Sequence, residues 1–255
     1  MERLVNRKRT ARRGYTLVEL LVVISIIALL ASLITVAVQG AMRTAKVAQV
    51  KTDMLSLEAA IASFKANYKA DVPSSLTIPA AGAAWQATDR AKIRRIWPRF
   101  NFGTTASPSR GGWTGSAVTL SGDDCLMFFL GGVISGGNPK GFSRNARTPF
   151  STTGTNRIGP FMEFDTSRVI SDGSWYVYVD PLRGAKPGYS YVRQEDYTSG
   201  NAYKQAGGGF WKPQSYQIVS PGFDGSFGDG TTSSTSPDDP DNDNITNFST
   251  GMLAP

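Results

Sequence analysis

No histidine occurs in this chain of 255 residues, and cysteine occurs once, at Cys125. The first absence removes Ser-His-Asp and Cys-His nucleophilic chemistry and every histidine-ligated metal site. The second removes an internal disulfide and any cysteine-rich zinc or iron–sulfur site. Charge of one sign is missing locally as well. Residues 220–255 hold six aspartates and no lysine or arginine, whereas residues 1–14 hold six basic side chains against Glu2 alone. The stretch between them has no block dense in basic residues. Its nearest approach, Arg90-Ala-Lys92-Ile-Arg94-Arg95, reads as a solvated helix face. The formal charge of +7 therefore predicts no nucleic-acid partner.

What is present begins after the basic start. Leu20 to Val38 carries no charge and is mostly apolar. As a helix, residues 15–38 measure about 36 Å, enough to cross a bilayer core of roughly 30 Å. The basic side is expected to stay cytoplasmic, which sends the rest of the chain across the membrane. A secretory signal peptide has the same order of basic and apolar regions. Against it, the apolar run is long and helical periodicity continues past it. Val47, Val50, Met54, Leu57, Ile61, Phe64 and Tyr68 recur in alternating steps of three and four, which is one apolar stripe on a helix. Lys51, Asp53 and Glu58 fall off that stripe. One helix is thus expected over residues 15–70, transmembrane over 15–38 and amphipathic over 39–70.

Beyond Pro73 the chain is rich in turns. A short helix is expected around Thr88–Ile96. A buried one is expected over Asp123–Leu130, with acids at its start and Gly131-Gly132 at its end. Gly136–Gly159 is loop-like. Trp175–Val179, Tyr189–Val192 and Tyr216–Val219 read as strands, the first two separated by the turn-forming Asp180-Pro-Leu-Arg-Gly184. The expected fold is α+β: a long N-terminal helix packed on a small antiparallel sheet, with a loop-rich insertion. The body spans 71–219, and 220–255 forms an acidic C-terminal loop region.

Few motifs offer chemistry. The Gly-rich stretches lack the Lys-Ser/Thr of a phosphate loop. Glu163 and Asp165 form a carboxylate pair with nothing else to mark a cleft. No catalytic residues are assigned, and an enzyme is not expected. The acidic end is different. Asp224-Gly225-Ser-Phe-Gly-Asp229-Gly230 and the later Asp241-Asn-Asp243-Asn244 place carboxylate and amide oxygens among glycine turns. Calcium, a hard cation taking 6–8 oxygens, suits such groups. The spacing of Asp239, Asp241 and Asp243 mimics an EF-hand opening, but Asn244 and Thr250 stand where that loop needs Gly and Glu. A solvated acidic tail is the plainer reading of these residues alone.

Arg12-Arg13-Gly14-Tyr15-Thr16-Leu17-Val18-Glu19 and the apolar run after it resemble the signal of type IV pilins and pseudopilins. The resemblance implies cleavage of a basic leader, residues 1–14, between Gly14 and Tyr15 by a prepilin peptidase on the cytoplasmic side. It implies N-methylation of Tyr15, which stands where the family usually has Phe. It implies that Glu19, the only charge between Gly14 and Arg43, pairs with the free amine of a neighbouring subunit during assembly.

The order strand, Asp-Pro-x-x-Gly turn, Tyr-x-Tyr, strand, Ser-x-Gly-x-Asp-Gly and Asn-Ile-Thr-Asn-aromatic resembles the C-terminus of the major pseudopilin of type II secretion. This implies one calcium ion held by Asp224, Asp229, Asp241, Asp243 and Asn244, with Asn244 replacing the family's Asp. The implied setting is the bacterial inner membrane, single-pass, with the C-terminal body periplasmic. The implied partners are the peptidase, membrane lipid, an inner-membrane assembly platform, further copies of the chain and other pilin-like subunits. The expected function is a structural filament subunit that supports protein export. A type IV pilus subunit, or a single-pass anchored enzyme or binding domain, remains open at this point. Removal of the leader would leave 21 basic and 19 acidic residues, a nearly balanced chain.

Overall fold

The computed structural model describes residues 15–80, 82–103, 117–135, 138–171, 176–178, 188–197, 202–205, 207–228, 230 and 241–253. The chain divides into two units, 1–45 and 46–255. Helix α1, Leu17–Tyr68, runs through both as 52 continuous residues. No proline interrupts it, and Pro73 follows its end.

The first unit contributes the apolar part of α1. Every described residue from 17 to 45 is exposed. This is the one helix among the described residues long and apolar enough to cross a membrane. An apolar helix with no protein around it requires lipid or another helix to cover it.

In the second unit the apolar stripe does what its period predicts. Val50, Met54, Leu57, Ile61 and Phe64 are buried, and Val47 and Tyr68 pack at the edge of the same core. The stripe faces α3, Gly122–Gly131, whose residues Cys125 to Leu130 are all buried. Phe64 meets Phe129 edge-on at 5.8 Å. Trp97, at the end of α2 (Ala87–Ile96), stands edge-on to Tyr68 at 5.4 Å. Aromatic pairs of this geometry stabilise by about 0.5–1.5 kcal/mol beyond their burial. Both short helices fall where their sequences place them.

The arrangement is α+β as expected, but among the described residues the β-structure is spread over five small antiparallel sheets rather than one. β1 (Ser75–Ile78) pairs with β2 (Val118–Ser121). In the Gly136–Gly159 region, expected as loop, two-residue strands form. β3 (Ile134–Ser135) pairs with β4 (Asn138–Pro139), and β5 (Phe142–Ser143) with β6 (Arg157–Ile158). β7 (Val169–Ser171) pairs with β8 (Tyr176–Tyr178), the described part of the expected Trp175–Val179 strand, and among the described residues β8 does not pair with the strand that follows it. β9 (Ser190–Arg193) pairs with β10 (Tyr216–Ser220), and β11 (Ile245–Thr246) adds to the other edge of β10. β-propensity marks a segment as a strand without choosing its partner. The three-stranded sheet β9-β10-β11 ties the acidic C-terminal region to the body.

Candidate functional site

The N-terminal turn of α1 is built by Thr16 and Glu19. The Glu19 carboxylate accepts from the Thr16 N–H at 2.8 Å and from its hydroxyl at 2.9 Å. The Glu19 N–H donates to Thr16 Oγ1 at 3.2 Å. This reciprocal pair is a capping box, in which two helix-end donors find acceptors. The Thr-x-x-Glu spacing carries that signal in the sequence. The only acid in the apolar part of the helix is thereby held back against the helix start. Tyr15, next to it, is 89% exposed. Gly14 lies outside the described residues.

A family pattern described as the prokaryotic N-terminal methylation motif matches residues 9–35. Residues 9–35 thus carry the N-terminal motif of type IV pilin-like proteins. The match covers the leader end, Gly14, Tyr15, Thr16, Glu19 and most of the apolar run. It places the capping box of this pilin-like segment directly beside the expected cleavage point. No curated protein and no solved structure matches the chain.

The second constellation is the acidic end, and here two loops meet. Asp243 Oδ2 accepts from the backbone N–H of Phe223 at 2.6 Å and of Asp224 at 3.1 Å. Asp241 is buried, and its carboxylate bonds the Tyr203 hydroxyl, which also reaches the Phe227 carbonyl at 2.8 Å. The Asn244 amide donates to Tyr203 Oη at 2.6 Å. Asn244 Oδ1 is buried with no hydrogen-bond partner. Gly222 and Gly228 let the first loop approach these carboxylates, both with φ of +61°. Asp224 stands apart: it is exposed, and its carboxylate accepts from the Ser226 N–H at 2.7 Å as a local turn. Asp229 lies outside the described residues.

The structure thus brings Asp241, Asp243 and Asn244 to the Asp224 loop, as a clasp of hydrogen bonds. Their oxygens suit a hard cation in kind. Among the described residues, however, no three His, Cys, Asp or Glu side chains gather closely enough to hold a metal.

Several side chains that matter here were not singled out by pattern. Lys51, half-buried, donates its ammonium to the carbonyls of Thr246 at 2.6 Å and Ser249 at 2.5 Å. Burial pushes its pKa down, opposed by the nearby Glu58 carboxylate. Glu58 accepts from Lys212 Nζ at 2.9 Å and from Asn247 Nδ2 at 2.8 Å. Asn247 Oδ1 in turn accepts from the Ile218 N–H at 3.1 Å. The C-terminal segment is therefore fastened to α1 at Lys51 and Glu58. Their position supplies a signal: they stand three before and four after Met54, the two helical neighbours of a buried stripe residue.

Proposed function

We propose that this chain is a structural subunit of a pilus-like filament, of the kind that supports protein export as a type II secretion pseudopilin. On this reading it enters the bacterial inner membrane with residues 1–14 cytoplasmic. A prepilin peptidase removes these and methylates Tyr15. The remaining chain then joins identical and related subunits through an inner-membrane assembly platform. The single observation that carries the reading is the methylation motif at residues 9–35, leading into a helix segment with no protein cover. The unpartnered apolar surface passes from lipid to neighbouring helices when subunits assemble, so polymerisation keeps it out of water. Nothing in this role needs catalysis, which agrees with a chain lacking histidine. The lone buried Cys125 favours this kind of subunit over pilins that close their C-terminal loop with a disulfide.

Calcium belongs to the same reading. Asp241, Asp243 and Asn244, with Asp224 and Asp229, would supply its oxygens, and binding would stabilise the clasp by mass action. Thermal unfolding in calcium against chelator checks this. A higher melting temperature in calcium, lost in Asp241→Ala, is the expected result. Equal melting temperatures leave the hydrogen-bonded clasp alone.

The decisive experiment is the mass of the mature N-terminus from cells with the peptidase. N-methyl-Tyr15 is expected. An intact Met1 terminus in such cells, and unchanged processing of Gly14→Leu, would each reject the reading.

A further inference from the structure

Where α1 ends, the second unit encloses a cavity of about 240 Å³. Lys69 and Asp71 line it from the segment just after α1, Lys92 and Arg95 from α2, and Arg193 and Glu195 from the end of β9 and the turn that follows. Four cations thus meet two acids, and both acids are engaged. Arg193, with 17% of its side chain exposed, holds Glu195 at 2.9 Å and Asp71 at 3.2 Å. Lys65 reaches Asp71 as well, at 2.7 Å. Asp196, the next acid along the chain, bonds the Ser74 hydroxyl.

The other three cations keep donors in reserve. Lys92 donates to the Ser75 carbonyl at 2.9 Å and to its hydroxyl at 2.7 Å. These bonds fix the ammonium and leave one of its three N–H groups uncommitted. The Lys69 ammonium and the Arg95 guanidinium have no hydrogen bond or ion pair among the described residues.

Lys69 is also held in an unfavourable conformation. Its backbone N–H closes the helix end on the Lys65 carbonyl at 2.9 Å, with φ of +54°. That left-handed position usually falls to glycine, which has no β-carbon to crowd the next carbonyl. Backbone strain of this kind clusters at functional sites, and here it places a long cation on the wall of a cavity.

We propose that this cavity binds a phosphate monoester. Three uncommitted cations from two elements match the three terminal oxygens and the nearly doubled negative charge of such a group. Charge-assisted hydrogen bonds to it are the strong kind. A carboxylate, or the phosphodiester of a lipid or a nucleic acid, offers two free oxygens and a single charge. The volume admits the phosphate with a small organic stem, since one water occupies about 30 Å³ of the liquid. The site uses neither the apolar part of α1 nor the acidic C-terminal region, so it stands apart from the filament reading.

The test uses the full chain, processed in cells with the peptidase and held in a neutral detergent. Calorimetric titration with glycerol 3-phosphate at low, constant ionic strength should show saturable binding at one site. Lys69→Gly and Arg95→Gln should each weaken it by roughly tenfold, the loss of one charged hydrogen bond. Lys69→Gly separates binding from folding, because glycine suits the left-handed position. Its melting temperature should match or exceed that of the wild type while its affinity falls. Arg99→Gln, which removes an exposed arginine outside the cavity, should bind as the wild type does. Absence of saturable binding by the wild type would overturn the site, as would unchanged affinity in Lys69→Gly and Arg95→Gln. An equal loss in Arg99→Gln would overturn it in favour of diffuse attraction. Equal affinity for dimethyl phosphate would overturn the monoester as its ligand.

Discussion

Gly222 lies directly beneath Asp243. A β-carbon on Gly222 would stand 2.2 Å from Asp243 Oδ1 and 2.5 Å from its backbone oxygen. The same carboxylate holds the N–H groups of Phe223 and Asp224. The clasp between the two loops therefore exists only because residue 222 has no side chain.

Gly222→Ala should accordingly destabilise the body. The φ of +61° costs an alanine about 1 kcal/mol. Displacing a carboxylate from two backbone donors adds about 1–3 kcal/mol. Gly208 is the control: its φ is +88° and its surroundings are open, so Gly208→Ala should show the backbone cost alone. Denaturant unfolding of both variants separates the two contributions. Equal losses would mean that the Asp243 contact contributes nothing.

Removing the Lys51 ammonium should loosen the C-terminal segment more than the core. Its two carbonyl partners are close, and charged hydrogen bonds contribute about 1.5–3 kcal/mol each when well buried. Half-burial reduces this, and about 1–2 kcal/mol is expected for Lys51→Met, which keeps the packing of the stem. The effect should concentrate in residues 241–253, seen as faster limited proteolysis or amide exchange there. Uniform acceleration across α3 as well would contradict a local tether.

The body of α1 was legible because burial repeats with the helical period, and one stripe sufficed to place it. Glu19 and Thr16 were legible as a spaced pair. The clasp was legible only as composition. Six aspartates announce a chemistry, but whether they hold a metal, a solvent shell or backbone N–H groups depends on which loop folds over which glycine. Lys51, Asp53 and Glu58 carry no sequence signal of their tertiary roles, because charged residues off an apolar stripe ordinarily face water. Here the body reaches round the helix and uses them. Strand pairing was hidden for a related reason. The turn residues between Trp175–Val179 and Tyr189–Val192 look like a hairpin connection, yet β8 takes β7 and β9 takes β10, a tertiary choice that local propensity does not encode.

Asp53 and Arg168 form the most shielded ion pair among the described residues. Their atoms lie 2.7 Å apart, with side-chain exposures of 15% and 13%. Tyr189 donates to the same carboxylate oxygen at 2.9 Å, and the guanidinium covers the Tyr178 ring at 4.4 Å. Arg168→Met leaves a shielded carboxylate with its main counter-charge gone, at a cost of about 3 kcal/mol. Removing both charges with Asp53→Asn/Arg168→Met should cost less than Arg168→Met alone. A double-mutant cycle on unfolding free energies measures this, and strict additivity would argue against coupling.

Alkaline pH should weaken the body through its tyrosines. Burial, reinforced by the Glu58 and Asp71 carboxylates, pushes the Tyr216 phenol up to about 12. Burial also takes Tyr68 to about 12. An unfolded tyrosine titrates near 10. The fold thus favours the protonated phenol. Its contribution is fully present below about pH 10 and is lost as pH rises through about 12. Tyr216→Phe should make that decline shallower while leaving neutral-pH stability less affected. Unfolding midpoints across the alkaline range give the comparison, and parallel curves for variant and wild type would remove Tyr216 from the explanation.

Glu19 separates processing from assembly on the filament reading. Its carboxylate is already satisfied by Thr16 within one subunit, so insertion into a membrane does not require a neighbour's amine. Assembly does, because the free amine created at Tyr15 enters an apolar surrounding and needs a counter-charge. Glu19→Ala should therefore leave leader removal and membrane insertion intact while filaments fail to form. Thr16→Val keeps the charge but takes away the hydroxyl half of the capping box. It should weaken the start of α1 by about 1 kcal/mol and spare assembly far more than Glu19→Ala does. Mature N-terminal mass reports processing, and electron microscopy of sheared filaments reports assembly. Filaments in Glu19→Ala would show that the carboxylate serves the helix start alone.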